Sequence, residues 1–478
     1  LAHTYQKIFK KGYLHSSKIK DSISDMQFTS TYRVPFQFSH YLNQHIKFGN
    51  FVKSSSGVTL TDLDDNIMYD LGGSYGVNVL GNDFYKKCIE KGNLLVKKLG
   101  PVLGPYHPLI NQNVERIKEI SGLDEVSFHM SGTEAIMQAV RLARYHTKKT
   151  HLVRFCGAYH GWWGDVQPGI GNPTTADYTF TLKEMDSDTL RVLRTRNDIA
   201  CVLVNPLQAL HPNMNAPSDS SLVDSSRAAK FDREAYKKWL IDLRKVCTDK
   251  GIVLIFDEIF VGFRIALGGA QEYFDIQADL VTYGKTLAGG LPIGVLCGKK
   301  ELMKRYDLSR PADICFARGT FNSHPYVMAT MHEFLKSLKQ EKIKKIYKNL
   351  DETWNGRAQY LNQRFAEENL PLRVSNFSSI WMMEYTKPSR YNWIFQFYLR
   401  AEKISLGWVG TGRFIFSLNY KDSDFIEVAN RIIVAAHKMQ RDQWWWANSE
   451  TTNKSIKRSL MLELIRHFVK SKLNFRRN

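Results

Sequence analysis

Gly251-Ile252-Val253-Leu254-Ile255-Phe256-Asp257-Glu258 is a short apolar run ending in two carboxylates. Lys285 stands 28 positions beyond Asp257, in Leu280-Val281-Thr282-Tyr283-Gly284-Lys285-Thr286-Leu287-Ala288-Gly289-Gly290. The first run is too continuous for a half-exposed strand and reads as one buried on both faces. It delivers Asp257 at its C-terminal end, the edge at which open α/β sheets gather ligands. Strand-like runs at Val126–Met130, His151–Phe155, Ala200–Val204, Ile252–Phe256, Leu280–Tyr283 and Gly294–Cys297 alternate with longer helical stretches. That alternation predicts an α/β fold with a mostly parallel sheet covered on both faces.

Each of the two residues has a chemical use. A lysine amine can condense with an aldehyde and, once displaced by a substrate amine, can carry protons; a carboxylate beside a ring nitrogen keeps that nitrogen protonated. Taken singly, an apolar strand ending in Asp-Glu or a lysine among glycines is commonplace, but the pair fits a lysine-bound pyridoxal phosphate (PLP), with Lys285 and Asp257 as the catalytic residues. Upstream, Ser131-Gly132-Thr133-Glu134-Ala135 links a strand to a helix running from Ile136 to Tyr145. Backbone N–H groups and the positive end of the helix dipole there suit a phosphate, with Ser131 and Thr133 as hydroxyl donors, although the same residues also read as an ordinary helix cap. Phe155-Cys156-Gly157-Ala158-Tyr159-His160-Gly161 places rings among glycines, so Tyr159 can stack on a flat cofactor and His160 stands beside it. Arg318-Gly319-Thr320 adds a second phosphate candidate, Thr320.

With these residues the chain resembles the class III aminotransferases of PLP fold type I, in the branch typified by glutamate-1-semialdehyde aminomutase. The resemblance runs from about Ser55 to about Tyr420 and rests on four motifs in the family's order: Ser131–Ala135, Tyr159–Gly161, Asp257–Arg264, and Lys285 with Gly289-Gly290-Leu291-Pro292-Ile293-Gly294. It implies an aspartate aminotransferase-like fold, with a large cofactor domain and a small α+β domain built from both chain ends. We divide the chain accordingly into a small-domain segment at 1–74, a PLP-binding domain at 75–325, the rest of the small domain at 326–446 and a tail at 447–478. It further implies a homodimer in which the residue matching Thr320 reaches the phosphate in the other subunit. Aminotransferase domains of this branch also occur inside polyketide, lipopeptide and prodigiosin-type biosynthetic proteins. Leu1 in place of an initiator methionine fits disordered residues, a processed end or excision from a longer polypeptide such as these; under the last, fused domains or a carrier protein are candidate partners.

Two departures bear on substrate. Many relatives carry Glu-Pro-Val where this chain has Asn205-Pro206-Leu207, which removes a negative charge, and Phe260-Val261-Gly262 makes the segment after Asp257 more apolar than the Gln-Thr-Gly of ω-amino acid enzymes. The expected reaction is transfer of an amino group from an amino acid donor to an aldehyde or ketone, with a hydrophobic acceptor from secondary metabolism. Glutamate-1-semialdehyde 2,1-aminomutase is the second reading; its small carboxylate substrate needs a cation, for which Arg33 is the candidate. A non-catalytic scaffold or nucleic-acid binder on the same fold is the third, opposed by the intact Lys285 and Asp257.

Length and composition suit a folded two-domain chain: 478 residues, 43% of them hydrophobic. With no long apolar span and no signal-peptide pattern, a cytoplasmic location is expected. The six scattered cysteines include no Cys-x-x-Cys pair and read as reduced thiols, not as a disulfide frame or metal site. A net charge of +19 invites a nucleic-acid reading, yet no nucleic-acid motif accompanies it and none is expected to bind. The charge concentrates in the tail, where Lys454 to Asn478 carries eight Lys and Arg against Glu463 alone. Ile456, Leu460, Leu464 and Phe468, with Met461, Ile465 and Val469 beside them, predict an amphipathic helix suited to the protein's own dimer, a partner domain or a membrane surface. Asn213 to Lys230 reads as an insertion loop, and Trp444-Trp445-Trp446 as packing residues.

Overall fold

A computed structural model describes residues 1–31, 34, 36–167, 174–207, 232–407, 412–445 and 450–475. Arg33, Trp446 and the loop from Asn213 to Lys230 lie outside the described residues. At the centre is a seven-stranded sheet in the order Glu125–His129, Gly294–Gly298, Leu280–Gly284, Val253–Asp257, Ile199–Val204, His151–Phe155, Thr179–Leu182. The pairings from Leu280–Gly284 to Thr179–Leu182 are parallel, whereas Gly294–Gly298 runs antiparallel to both of its neighbours. The six expected strands are present within a residue or two at each end. Thr179–Leu182 is an additional edge strand, whose mixed polar and apolar residues fit an edge position.

The continuous apolar runs are explained by burial on two faces. Cys201, Leu203, Val253 and Ile255 pack toward Ile136, Ala139, Val140 and Ala143 of the helix Gly132–Thr147. The alternate residues Val202, Val204, Leu254 and Phe256 pack on the opposite side with Tyr236, Leu240 and Leu243 of the helix Arg233–Lys250. Side chains alternate along a strand, so a strand sandwiched by helices is apolar at every position.

Three smaller sheets accompany this core among the described residues, one of them the two-stranded pair Tyr306–Asp307 and Arg310–Ile314. Val52–Ser56, Thr59–Asp62 and Ile67–Asp70 form an antiparallel meander, to which Ile404–Ser405 adds in parallel; Leu372–Phe377, Ile380–Tyr385 and Arg413–Ile415 form another. The early strand Ile67–Asp70 thus pairs with a segment more than 330 residues later.

The buried Arg264 connects these parts to the large sheet. Its Nη1 donates to Ser379 Oγ (3.1 Å) and Phe416 O (2.8 Å), and its Nη2 to Gly76 O and Asn78 O, both at 3.1 Å. A guanidinium presents several donors in a rigid fork, so one residue can tie three chain segments together.

No described helix is long and apolar enough to cross a membrane. The six cysteines are free thiols, five of them buried.

Gly294 sets how closely the antiparallel strand approaches the turn at Ser131, since a Cβ at Gly294 would stand 2.0 Å from Ser131 O. Backbone cannot yield as a flexible side chain does, so Gly294→Ala should cost about 2 kcal/mol, read as a lowered midpoint in denaturant unfolding.

Candidate active site

The motif residues converge because each lies at or just past one end of a central strand, on the same edge of the sheet. Ser131 follows Glu125–His129, Tyr159 and His160 follow His151–Phe155, Asn205 follows Ile199–Val204, Asp257 ends Val253–Asp257, and Lys285 follows Leu280–Gly284. Glycines let the turns approach one another. A Cβ at Gly161 would meet Thr133 Oγ1 at 2.4 Å, one at Gly132 would meet Ile259 Cδ1 at 2.6 Å, and one at Gly284 would meet Ile259 Cγ2 at 3.3 Å. The turns carrying Ser131–Thr133, Tyr159–Gly161, Asp257–Ile259 and Lys285 therefore form one cluster.

At its floor, Asp257 is 3% exposed. His160 Nδ1 lies 2.7 Å from Asp257 Oδ2, and the Ile259 N–H donates to Oδ1 at 3.1 Å. The neighbouring Glu258 is turned to another task. It accepts from the N–H groups of Ala270 and Gln271 at the start of the short helix Gly269–Phe274, and burial pushes its carboxyl up to about 8. The Asp-Glu pair thus splits into one residue at the site and one structural cap.

Lys285 has a backbone φ of 50°, the left-handed region that non-glycine residues rarely adopt, and such conformations gather at functional sites. Its Nζ donates to Tyr75 O at 2.5 Å and lies 5.3 Å from the centre of the Phe260 ring. Burial brings the amine down to about 8; the Asp257 charge opposes this fall, while the nearby guanidinium groups of Arg264 and Arg413 reinforce it. A neutral amine near pH 8 is a nucleophile and a base, which an ordinary lysine at that pH is not.

Ser131 caps the helix Gly132–Thr147 by accepting from the Glu134 N–H at 3.2 Å, and its hydroxyl proton stays able to donate. The first-turn N–H groups of Gly132 and Thr133 have no partner inside the helix, which suits an anion. Thr320 is exposed; a Cβ on the adjacent Gly319 would lie 3.7 Å from Glu134 Oε2, which brings that turn to the rim of the same anion cradle. Tyr159 is 64% exposed beside the buried His160, leaving its ring surface accessible to a ligand. The candidate carboxylate anchor Arg33 lies outside the described residues.

These residues fit PLP. Asp257 is a buried carboxylate whose ion-pair partner among the described residues is His160, so a protonated ring nitrogen would complete its neutralisation. His160 Nε2 and Asn205 Oδ1 are buried polar atoms without a hydrogen-bond partner among the described residues, as expected of groups in contact with a polar ligand. Two participants had no sequence signal: Tyr75 and Arg413 come from distant segments and reach the surroundings of Lys285 only through the packing of the flanking sheets on the core, whereas Arg264 closes the motif that begins at Asp257.

A family model described as Aminotransferase class-III matches residues 41–432. Over 356 residues the chain is 33% identical to a glutamate-1-semialdehyde 2,1-aminomutase of Methanococcus maripaludis, covering 70% of this chain and 76% of that one. It is 30% identical over 359 residues to the protein of the same name from Citrifermentans bemidjiense, covering 72% and 78% respectively. Among solved structures, a transaminase with PLP bound superposes with a TM-score of 0.73 at 22% identity, covering 91% of this chain and 99% of that chain. A glutamate-1-semialdehyde aminomutase from Pseudomonas aeruginosa PAO1 gives a TM-score of 0.73 at 15% identity, covering 92% and 96%.

The surroundings of Lys285 predict its titration. In cofactor-free protein, acylation of Lys285 by an amine-directed reagent, followed by peptide mass spectrometry, should reach half its maximal rate near pH 8. In Asp257→Asn the midpoint should fall further, because the lost negative charge had favoured the ammonium form.

Proposed function

The chain belongs to the class III aminotransferases and is a PLP-dependent enzyme, and we propose that it moves an amino group from an amino acid donor to the aldehyde or ketone of a hydrophobic acceptor, such as a fatty aldehyde or acyl-derived intermediate. The chemistry supplied by bound PLP is electron withdrawal from the carbon that bears the amino group. In this reading the cofactor domain at 75–325 holds the phosphate with Ser131, Gly132 and Thr133, joined across the dimer by Thr320 of the partner subunit, and stacks Tyr159 on the ring. Asp257, oriented by the 2.7 Å contact with His160, holds a proton at the ring nitrogen. Lys285 Nζ is the tether and also the base and acid, taking a proton from the substrate carbon and returning it.

The observation that carries the substrate assignment is the dual environment of Lys285 Nζ. On one side stands the Phe260 ring at 5.3 Å, and the guanidinium groups of Arg413 and Arg264 add positive charge nearby. An apolar acceptor suits the first and the carboxylate of an amino acid donor suits the second. Asn205, an uncharged amide, supports the same assignment by adding no repulsion toward that carboxylate.

A homodimer is the working unit in this reading. It is supported by the exposed aromatic residues Tyr106, Phe316 and Phe321 on segments beside the anion cradle.

Intramolecular transfer is the second reading, favoured by the names of the relatives at 33% and 30% identity. The two differ in what they need, since an aminomutase converts glutamate-1-semialdehyde to 5-aminolevulinate without an added donor. Incubation of the PLP-loaded protein with a panel of amino donors and medium or long aldehydes, read by mass spectrometry, should yield amines that depend on Lys285. Conversion of the semialdehyde alone, with no aldehyde aminated under any donor, would replace the first reading by the second. In the first reading Arg413→Met should raise the donor KM roughly tenfold or more with a smaller change in kcat, because a binding contact is lost.

A further inference from the structure

The helix Asn453–Phe475 lies beyond residue 432, where the family match ends, so the reaction of the family does not account for it. Its first half is seated on the body of the protein. Ile456 is buried, Leu460 packs on the main core, Ser459 Oγ accepts from Arg390 at 3.4 Å, and Glu463 pairs with Arg390 and accepts from Gln37 at 2.9 Å. Positions 456, 459, 460 and 463 follow the spacing of a single helical face. The expected single apolar stripe is therefore divided, because the seated face uses only its start.

The other apolar residues point elsewhere. Met461, Leu462, Leu464, Ile465 and Val469 are 47–58% exposed. At 3.6 residues per turn they span an arc of about 160°, while Glu463, Arg466 and Lys470 share the side of the seated face. The apolar arc of the second half is thus turned away from the protein body, and Lys454, Lys457 and Arg458 lie in the same arc one or two turns earlier.

Charge selects the occupant. Residues 454–478 carry eight Lys and Arg and one acid, Glu463, which is already paired with Arg390. A second copy of this helix would bring like charge and offer no carboxylate in return. A protein groove grips a helix through a narrow stripe at i, i+3, i+4 and i+7, whereas this apolar arc is broad. A surface both anionic and apolar, with no fixed shape, matches both properties.

We propose that the outward face of the helix Asn453–Phe475 binds an anionic lipid surface, lying on the bilayer without crossing it. This does not rest on the substrate assignment, and its test reads no amine product.

The full-length PLP-loaded protein would be sedimented with vesicles of phosphatidylcholine alone and of phosphatidylcholine mixed with phosphatidylglycerol. The expected result is co-sedimentation with the anionic vesicles only, weakening as salt is added. The double variant Leu462→Asp/Ile465→Asp, at two exposed positions, should reduce partitioning on the order of tenfold or more. An unchanged thermal melt and PLP absorbance would show that this variant is folded. Binding to neither vesicle, equal binding to both, or undiminished binding by the folded double variant would overturn the proposal. So would a fall in oligomer size in the double variant without lipid binding by the parent, which would assign the face to a second copy of the chain.

Discussion

A carboxylate held away from water at the end of a central strand must be neutralised, and Asp257 makes that demand here. Moving an ion from water into a protein interior costs several kcal/mol unless charges or hydrogen bonds answer it. The answers visible around Asp257 are one histidine nitrogen, one backbone N–H and the electrostatic pull of Lys285. The strand that delivers Asp257 is buried on both faces, so the carboxylate cannot turn to solvent without breaking the sheet. In the proposed reading, the protonated ring nitrogen of PLP is the group that answers this constraint.

The amine opposite is held in a different balance. Burial and two guanidinium groups push Lys285 toward its neutral form, while Asp257 pulls it back. The result is a nucleophile whose readiness depends on charges contributed by separate parts of the chain. Tyr75 O accepts a hydrogen bond from it, and the left-handed backbone at Lys285 stores strain at the same position. Positioning and reactivity are therefore set by packing between the flanking sheets and the core as much as by the lysine loop.

These forces also explain how much of the molecule was legible in the sequence. Strands buried on both faces must be apolar at every residue, so Ile199–Val204 and Val253–Asp257 were visible as runs, and the residues just past them were visible as candidates. Thr179–Leu182 was not, because an edge strand keeps polar residues and resembles a loop. Asp257 was legible as the candidate site carboxylate, but the capping task of its neighbour Glu258 was not, since it depends on where the helix Gly269–Phe274 begins in space. Arg413 looks like an ordinary charged residue in the chain, and only tertiary packing brings its charge near Lys285. The tail was legible as a helix, but not the division of its apolar residues between a seated and an outward face, because that depends on the ion pair of Glu463 with Arg390.

Arg264 has a consequence for anyone seeking a smaller catalytic unit. Two of its four acceptors, Ser379 Oγ and Phe416 O, belong to the last third of the chain. Cutting the polypeptide after the cofactor-binding sheet would strip a wholly enclosed cation of half its ligands and leave it facing a raw apolar surface. The core with the lysine is thus not separable from the C-terminal segments packed on it, and a truncation that keeps every catalytic side chain would still forfeit the fold that arms them.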